Sequence, residues 1–393
     1  MQINSVLISG ASIAGPALAY WLDRYGCAVT VVERNAALRP GGQAVDFKGA
    51  THRKVLEEMG ILAEIERRQT GKTDLLIVDD GGTRLATIPG EFIGGDVEIL
   101  RGDLSEILYE RTRDTVEYIF GDSISSLTET ATGVDVEFEN AEPRTFDLVV
   151  GADGIHSIVR RLAFGPESDY VKHLGYYYAV VGGSPVSNDA AETRERAVGL
   201  MYNVPGRMAV LGGSKAPELY VFASGPRDYD RRDVEAQKQI LVDAFAGVGW
   251  QVPEMIAALP EASDFYLDAI ARVAMDRYST GRVVLIGDSA YGNTLGGFGT
   301  GLGIVGAYVL AGELAAADGD HRIAFEQYNI VMHRYAKVAR KGSAGPFLAP
   351  SSPLRLWLRN ATFKYSFLLN MMMKMTDNYA NDVDLRDYPL PPS

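Results

Sequence analysis

Apolar and polar positions follow more than one period along the chain, and each change of period marks an element. Val6-Leu7-Ile8 is a continuous apolar run that stops at Ser9-Gly10, the pattern of a short strand. Pro16 to Leu22 then spaces its apolar side chains as a helix packed on a sheet would. Ala28-Val29-Thr30-Val31-Val32 is a second β-branched run, so the opening reads as strand, tight turn, helix, strand. Leu75 to Val78 and Arg84 to Thr87 flank Asp79-Asp80-Gly81-Gly82, which predicts a hairpin in a different layer. Helical spacing returns over 102–109, and short alternating strands follow at 134–138 and 146–150.

From about 172 to 225 the pattern is sheet, with strands at 176–181, 198–202, 208–211 and 219–222 separated by Gly, Pro and Ser. Consecutive strands of this kind predict an antiparallel sheet, with Tyr176 and Tyr178 on one face and Tyr202 and Phe222 on neighbouring strands. Tyr178, Tyr202 and Phe222 are candidates for the wall of a substrate pocket, and they suit a plain core equally well. Helices are expected over 231–247 and 253–259, a strand near 265–274, and a strand from Arg282 to Ile286 that leads into Gly287-Asp288. The rest reads as helical over 301–317 and 353–375, where the Met371-Met372-Met373 cluster suits packing rather than ligation.

The bulk properties narrow the partners. A chain of 393 residues allows two or three domain-sized units. Its net charge of −13 works against binding to nucleic acid or an anionic membrane. A single cysteine, Cys27, excludes an intrachain disulfide and a cysteine metal cluster, and fits a reducing, cytoplasmic compartment. His52, His156, His173, His321 and His333 lack ligand-like spacing, so no metal site is expected. Neither a secretory leader nor a run of membrane-span length is read.

Three separated segments carry the chemistry. Gly10-Ala11-Ser12-Ile13-Ala14-Gly15 sits at a strand-to-helix turn, where small residues let the backbone approach a pyrophosphate and the helix start offers free N–H groups. Glu33 follows about twenty residues on, where an acid binds an adenosine ribose hydroxyl and disfavours a 2′-phosphate. The middle glycine of the usual triplet is replaced by Ser12. The other two segments are Gly151-Ala152-Asp153-Gly154 and Gly287-Asp288. Taken singly, Asp153 and Asp288 also suit turns or helix caps.

Read together, Asp153 to Arg160 and Gly287-Asp288 after an apolar strand resemble the FAD-dependent aromatic monooxygenases of the para-hydroxybenzoate hydroxylase type. Within them the chain is similar to the branch with tetracycline-modifying and polyketide-tailoring oxygenases. The resemblance implies an α/β fold: a Rossmann-like FAD-binding domain (1–70, 101–168 and 276–345), an inserted mixed or antiparallel β-sheet substrate domain (71–100 and 169–275), and a C-terminal helical segment (346–393). It implies that Gly10, Ser12, Ile13, Ala14 and Gly15 hold the FAD pyrophosphate, with Glu33 and Arg34 also binding the cofactor. Arg101 would lie near the flavin and its phosphates, Asp288 at the ribityl chain, and Gly299, Thr300 and Gly301 at the flavin carbonyls. Asp153 would serve FAD and the approach of NADPH or NADH, the latter with Arg160.

The implied reaction is reduction of FAD by NAD(P)H, formation of a C4a-hydroperoxyflavin with O2, and oxygenation of an aromatic or polyketide-like small molecule. Gln43, Asp46 and Tyr291 are the side chains placed to assist a phenol. The same FAD motifs also suit a flavin dehydrogenase or reductase that inserts no oxygen, or a non-catalytic FAD-containing binding protein. Three positions depart from the family pattern: Tyr291 where many relatives carry histidine, Thr294-Leu295 where they carry a proline, and Gly301 in place of asparagine.

Overall fold

The computed structural model describes residues 3–39, 41–186, 196–212, 217–296, 299–337, 342–364 and 385–390. Two large sheets organise it. The first has six strands in the order Ser279–Thr280, Val283–Leu285, Leu148–Gly151, Ser5–Ser9, Ala28–Glu33 and Glu117–Phe120. All neighbours pair in parallel except Ser279–Thr280. Its central strands are buried on both faces, which is why they read as unbroken apolar runs rather than alternations. The helices Ala14–Arg24, Gly299–Ala316 and His321–Tyr335 pack together in this layer and share its core.

The second sheet has seven strands, in the order Asp264–Val273, Val171–Gly182, Glu218–Ala223, Arg207–Leu211, Arg196–Val204, Lys72–Val78 and Arg84–Ile88. It is antiparallel except where Arg196–Val204 pairs in parallel with Lys72–Val78. The hairpin expected around Gly81-Gly82 thus extends this sheet, its turn closed by Asp79, whose Oδ1 accepts from the N–H groups of Gly81 (3.0 Å) and Thr83 (2.8 Å). Within the expected 71–100 segment, however, Val97–Leu100 leaves this sheet and pairs with Ala44–Phe47. The helix expected from 231 starts at Val234, capped by Asp233, whose Oδ1 accepts from Ala236 N–H at 2.9 Å.

Two further expectations change. Gly299–Ala316 is long and apolar enough to cross a membrane, so a run of that length does exist. Helices surround it, and its side chains are buried on all sides from Gly301 to Leu314; it is apolar all round because it is the core helix of the nucleotide layer. Within 346–393 the described residues are helical over Pro353–Lys364 and at the end of the short helix Gly345–Leu348. Residues 385–390 run back without helix to the nucleotide layer, where Tyr388 Oη donates to Glu313 Oε1 at 2.6 Å. The methionine cluster lies outside the described residues.

Candidate active site

The first turn is built by exclusion. Gly10 has φ +107°, a value that glycine adopts at least cost. A Cβ there would lie 2.5 Å from Ala152 O, and one on Gly15 would overlap Gly10 O. The two glycines therefore let the turn, the next helix and the Asp153 segment close on each other. Glu33 holds the turn from the side: its Oε2 accepts from Ala11 N–H (2.9 Å), and its Oε1 accepts from the backbone and side chain of Asn35 (2.9 and 2.7 Å). Ser12, the departure from the glycine triplet, has a partner. Arg101 Nη2 donates to its Oγ at 2.8 Å, and Ser105 Oγ donates to its carbonyl at 2.9 Å, so the serine joins Arg101 to the phosphate-binding turn.

One cavity of about 830 Å³ runs from this turn to the seven-stranded sheet. It is lined by Gly10, Ser12, Ile13, Ala14, Glu33, Arg34, Gln43, Asp46, Arg101, Asp153, Tyr178, Asp288, Gly299 and Thr300, gathering most of the expected site residues from across the chain. Gly15 sits behind the wall as a packing residue. Asp288 opens onto the cavity. Its carboxyl is raised above the usual range by burial among protein atoms, partly offset by the Arg101 charge. No hydrogen-bond donor among the described residues contributes there, so the carboxylate is left for donors on a ligand, such as the ribityl hydroxyls of FAD. Together with the glycine turn and the remaining lone pair on Glu33 Oε2, the donors and acceptors present fit FAD.

Other expected residues do different work. Both oxygens of Asp153 are taken up by its own surroundings: Oδ1 accepts from Ser157 Oγ, and Oδ2 from Ile158 N–H (2.8 Å), Val159 N–H (3.1 Å) and Ser9 Oγ (3.3 Å). It shapes the wall by capping the helix Ile158–Ala163. Arg160 is 0% exposed and donates to the carbonyls of Ser289 (2.8 Å) and Ile155. It ties the second motif to the third and does not reach the cavity, which corrects its expected role at the nicotinamide. Tyr291 is also misplaced for chemistry: its hydroxyl lies over Gly306, where a Cβ would overlap it, and meets Leu302 O (3.3 Å) and Tyr328 Oη (3.4 Å) behind the wall. Gly301 faces His52, whose ring fills the volume that an asparagine would need. Leu295 lines the cavity in the left-handed region, φ +55°, a strained backbone for a leucine.

Register sorts the aromatic candidates. Tyr178 faces the cavity with Val180. Tyr202 and Phe222 point to the opposite face, where Tyr202 stacks on Trp250 (5.5 Å) and Phe222 on Tyr177 (5.7 Å) in a separate core; neither lines the cavity. Across the short strand pair, Asp46 lies directly opposite Glu98, and both line the cavity. Burial and then the neighbouring Asp46 push Glu98 up to about 7, and burial also raises Asp46. The pair therefore holds a proton near neutrality. Glu98, Tyr266 and Asp268 are cavity residues that the sequence reading missed. The one available signal was a lone acid inside an apolar strand, as in Phe265-Tyr266-Leu267-Asp268-Ala269-Ile270. Among the described residues no three His, Cys, Asp or Glu side chains gather as a metal site.

A two-layer α/β protein with this nucleotide turn and one shared cavity is of the flavoprotein class. The family model described as "FAD binding domain" matches residues 4–323. A flavin-dependent monooxygenase of Legionella longbeachae is 37% identical over 346 residues, covering 86% of this chain and 87% of its own. A Mycobacterium tuberculosis protein of unassigned activity is 41% identical, covering 85% and 91%. Among solved structures, the tetracycline destructase Tet(51) superposes with a TM-score of 0.83 at 30% identity, over 98% of this chain and 100% of its own. Klebsiella pneumoniae HpxO, solved with FAD and uric acid, shares the fold at a TM-score of 0.67 and 19% identity, over 94% and 96%. The chain belongs to the FAD binding domain family and is a flavin-dependent monooxygenase.

Proposed function

We propose that the protein uses NAD(P)H and O2 to place one oxygen atom on a multi-ring aromatic or polyketide-like molecule. The observation that carries this reading is the single cavity joining the nucleotide turn to the sheet, which gives cofactor and substrate one shared space. When bound, FAD supplies hydride acceptance, activation of O2 at its C4a carbon and transfer of one oxygen atom.

The chain's own residues bind, orient and exclude water. The Gly10–Gly15 turn, Glu33 and Arg34 would hold the adenosine and pyrophosphate portion, and Arg101 and Asp288 the ribityl portion. The helix Gly299–Ala316 offers its positive dipole end to the ring region, where reduction builds negative charge. For the substrate, Val180, Met201, Met208, Val210 and Leu219 supply an apolar wall, with Phe347 packed against the same cluster. Gln43, Asp46 and Glu98 supply acceptors, and the Gln43 amide and the proton shared by the acid pair supply donors. The only cationic lining residues among those described are Arg34, Arg39, Arg101 and His156, none of them on the apolar wall strands. A neutral, ring-rich substrate fits this lining better than a small carboxylate, and likeness to proteins named tetracycline destructases supports the same class.

The test is NAD(P)H consumption by the FAD-loaded protein with and without a tetracycline-like polycyclic phenol. The proposal expects faster consumption with substrate and an equal yield of oxygenated product. Consumption that ignores every such substrate and ends in hydrogen peroxide would overturn it.

A further inference from the structure

The loop between Asp153 and the helix Ile158–Ala163 puts His156 at the joint of the two layers. Its Nε2 is 2.9 Å from Asp268 Oδ2, and its Nδ1 is 3.0 Å from Glu167 Oε1. Carboxylates only accept, so a ring facing one at each nitrogen satisfies both only when doubly protonated. Asp268 is 3% exposed and also accepts from Tyr266 Oη at 2.8 Å. Tyr266 lines the cavity beside Tyr178, their rings 5.8 Å apart. At the other end the Glu167 side chain is 32% exposed and meets Arg231 at 3.1 Å. Hydrogen bonds thus run without a break from the cavity to solvent.

We propose that Tyr266, Asp268 and His156 form a supply line that delivers one proton per cycle from solvent into the cavity, a proposal that rests on the monooxygenase reading above. Oxygenation consumes substrate, O2, NAD(P)H and one proton, and yields product, NAD(P)+ and water. That proton must enter a site whose chemistry requires bulk water to be kept out. Tyr266 passes its phenolic proton to the oxygen atom that leaves, as water when a substrate has taken the other atom and in hydrogen peroxide when reduced FAD and O2 react without substrate. It takes a proton in turn from Asp268, which takes the Nε2 proton of His156. No electrons move in these transfers, and the neutral ring is recharged from its solvent side. All three line the cavity; Tyr266 ends the hydrogen-bonded chain on the side away from Glu167, and Asp268 and His156 act through it.

The surrounding charges support a stored proton. Burial opposes the charged ring, but the hydrogen bonds to Asp268 and Glu167 outweigh it and raise His156 above its ordinary range, with Arg231 working weakly against them. Arg160, 3.9 Å from Glu167, and Arg39, 4.9 Å over the Tyr266 ring, are further cations on this network. Burial would raise Glu167, yet His156 and Arg231 hold it at about 2. Burial raises Tyr266 well above the usual phenol range, so it stays protonated and hands a proton on only as it receives another.

A merely structural role is open to the same residues, since His156 also staples the two layers together. Two variants separate the roles: His156→Gln cannot carry the proton, whereas Tyr266→Phe leaves the staple intact and removes only the terminal hydroxyl of the chain. The FAD-loaded proteins are reduced with dithionite and mixed with O2, and flavin reoxidation is followed by absorbance from about pH 6 to about pH 9. Both variants are expected to retain FAD and to reoxidise about a hundred-fold more slowly at the alkaline end, approaching wild type at the acid end. Imidazole should rescue His156→Gln and leave Tyr266→Phe slow. In the oxidised wild type, nuclear magnetic resonance should find the His156 ring still doubly protonated above its ordinary pKa of about 6.5. Unchanged rates and pH profiles in both variants, or a neutral ring at neutral pH, would overturn the proposal. This comparison needs only reduced FAD and O2, so a wild type that reoxidises normally but never oxygenates a substrate would defeat the monooxygenase reading separately.

Discussion

The parallel sheet and the seven-stranded sheet meet at one cavity, yet they offer it different things. The parallel layer presents backbone and small residues, at Gly10 to Ala14 and Gly299–Thr300, with a few acceptors at fixed distances from the turn. The larger sheet presents side chains, and register alone decides whether Tyr178 faces the ligand or Tyr177 does. A cofactor site made of backbone is broken by adding atoms. A substrate wall made of side chains is altered by exchanging them.

The largest expected effect lies in the first layer. Gly15→Ala puts a methyl group onto Gly10 O and should cost about 3 kcal/mol with loss of FAD, read by thermal unfolding and the flavin spectrum of the purified protein. Asp288→Ala removes the ribityl acceptor and should weaken FAD binding about ten- to a hundred-fold, measured by fluorescence titration of the apoprotein. Gly301→Asn should cost about 1 to 3 kcal/mol, because His52 occupies the space the family asparagine would take.

Smaller effects probe the second layer. Glu98 has a folded pKa raised to about 7, so below its unfolded value it is neutral in both states, and as pH rises from about 4.3 the unfolded state ionises first. Stability therefore falls across the window from there to about 7 and then levels off. Glu98→Gln should flatten that slope and raise Tm above neutrality, as seen in melting curves against pH. The smallest effect is expected from Tyr202→Phe, which loses only the bond to Asp80 on the far face. It should change Tm slightly and substrate KM not at all, whereas Tyr178→Phe should shift KM. Equal KM changes in the two variants would erase the distinction between the faces.

The same division governs what the sequence makes legible. The nucleotide turn and Glu33 were legible directly, because backbone approach needs small residues at fixed spacing in one short segment, whereas the ribityl role of Asp288 came only with the resemblance. Arg101 entered by resemblance, and its bond to Ser12 Oγ turned the departure at Ser12 into an explanation. Tyr291 and Arg160 were misread because each is consumed by a partner distant in sequence, Gly306 and Ser289 O, while Asp153 took up its alternative as a helix cap, accepting from Ser157 Oγ, Ile158 N–H and Val159 N–H. Tyr202 and Phe222 failed for a different reason. A strand of period two has two faces, and nothing local says which one meets the cavity. Glu98 and Asp268 became visible only when their strands were paired with Asp46 and set against His156.

The central claim, that this cavity inserts one atom of molecular oxygen into its substrate, is tested most directly with isotopically labelled O2. The FAD-loaded protein is given NAD(P)H and a polycyclic phenol under the labelled gas, and the product is examined by mass spectrometry. One labelled atom in the product, matched by one NAD(P)H consumed, is the result expected. Product formed at the same rate without label would contradict it and point to hydride transfer alone.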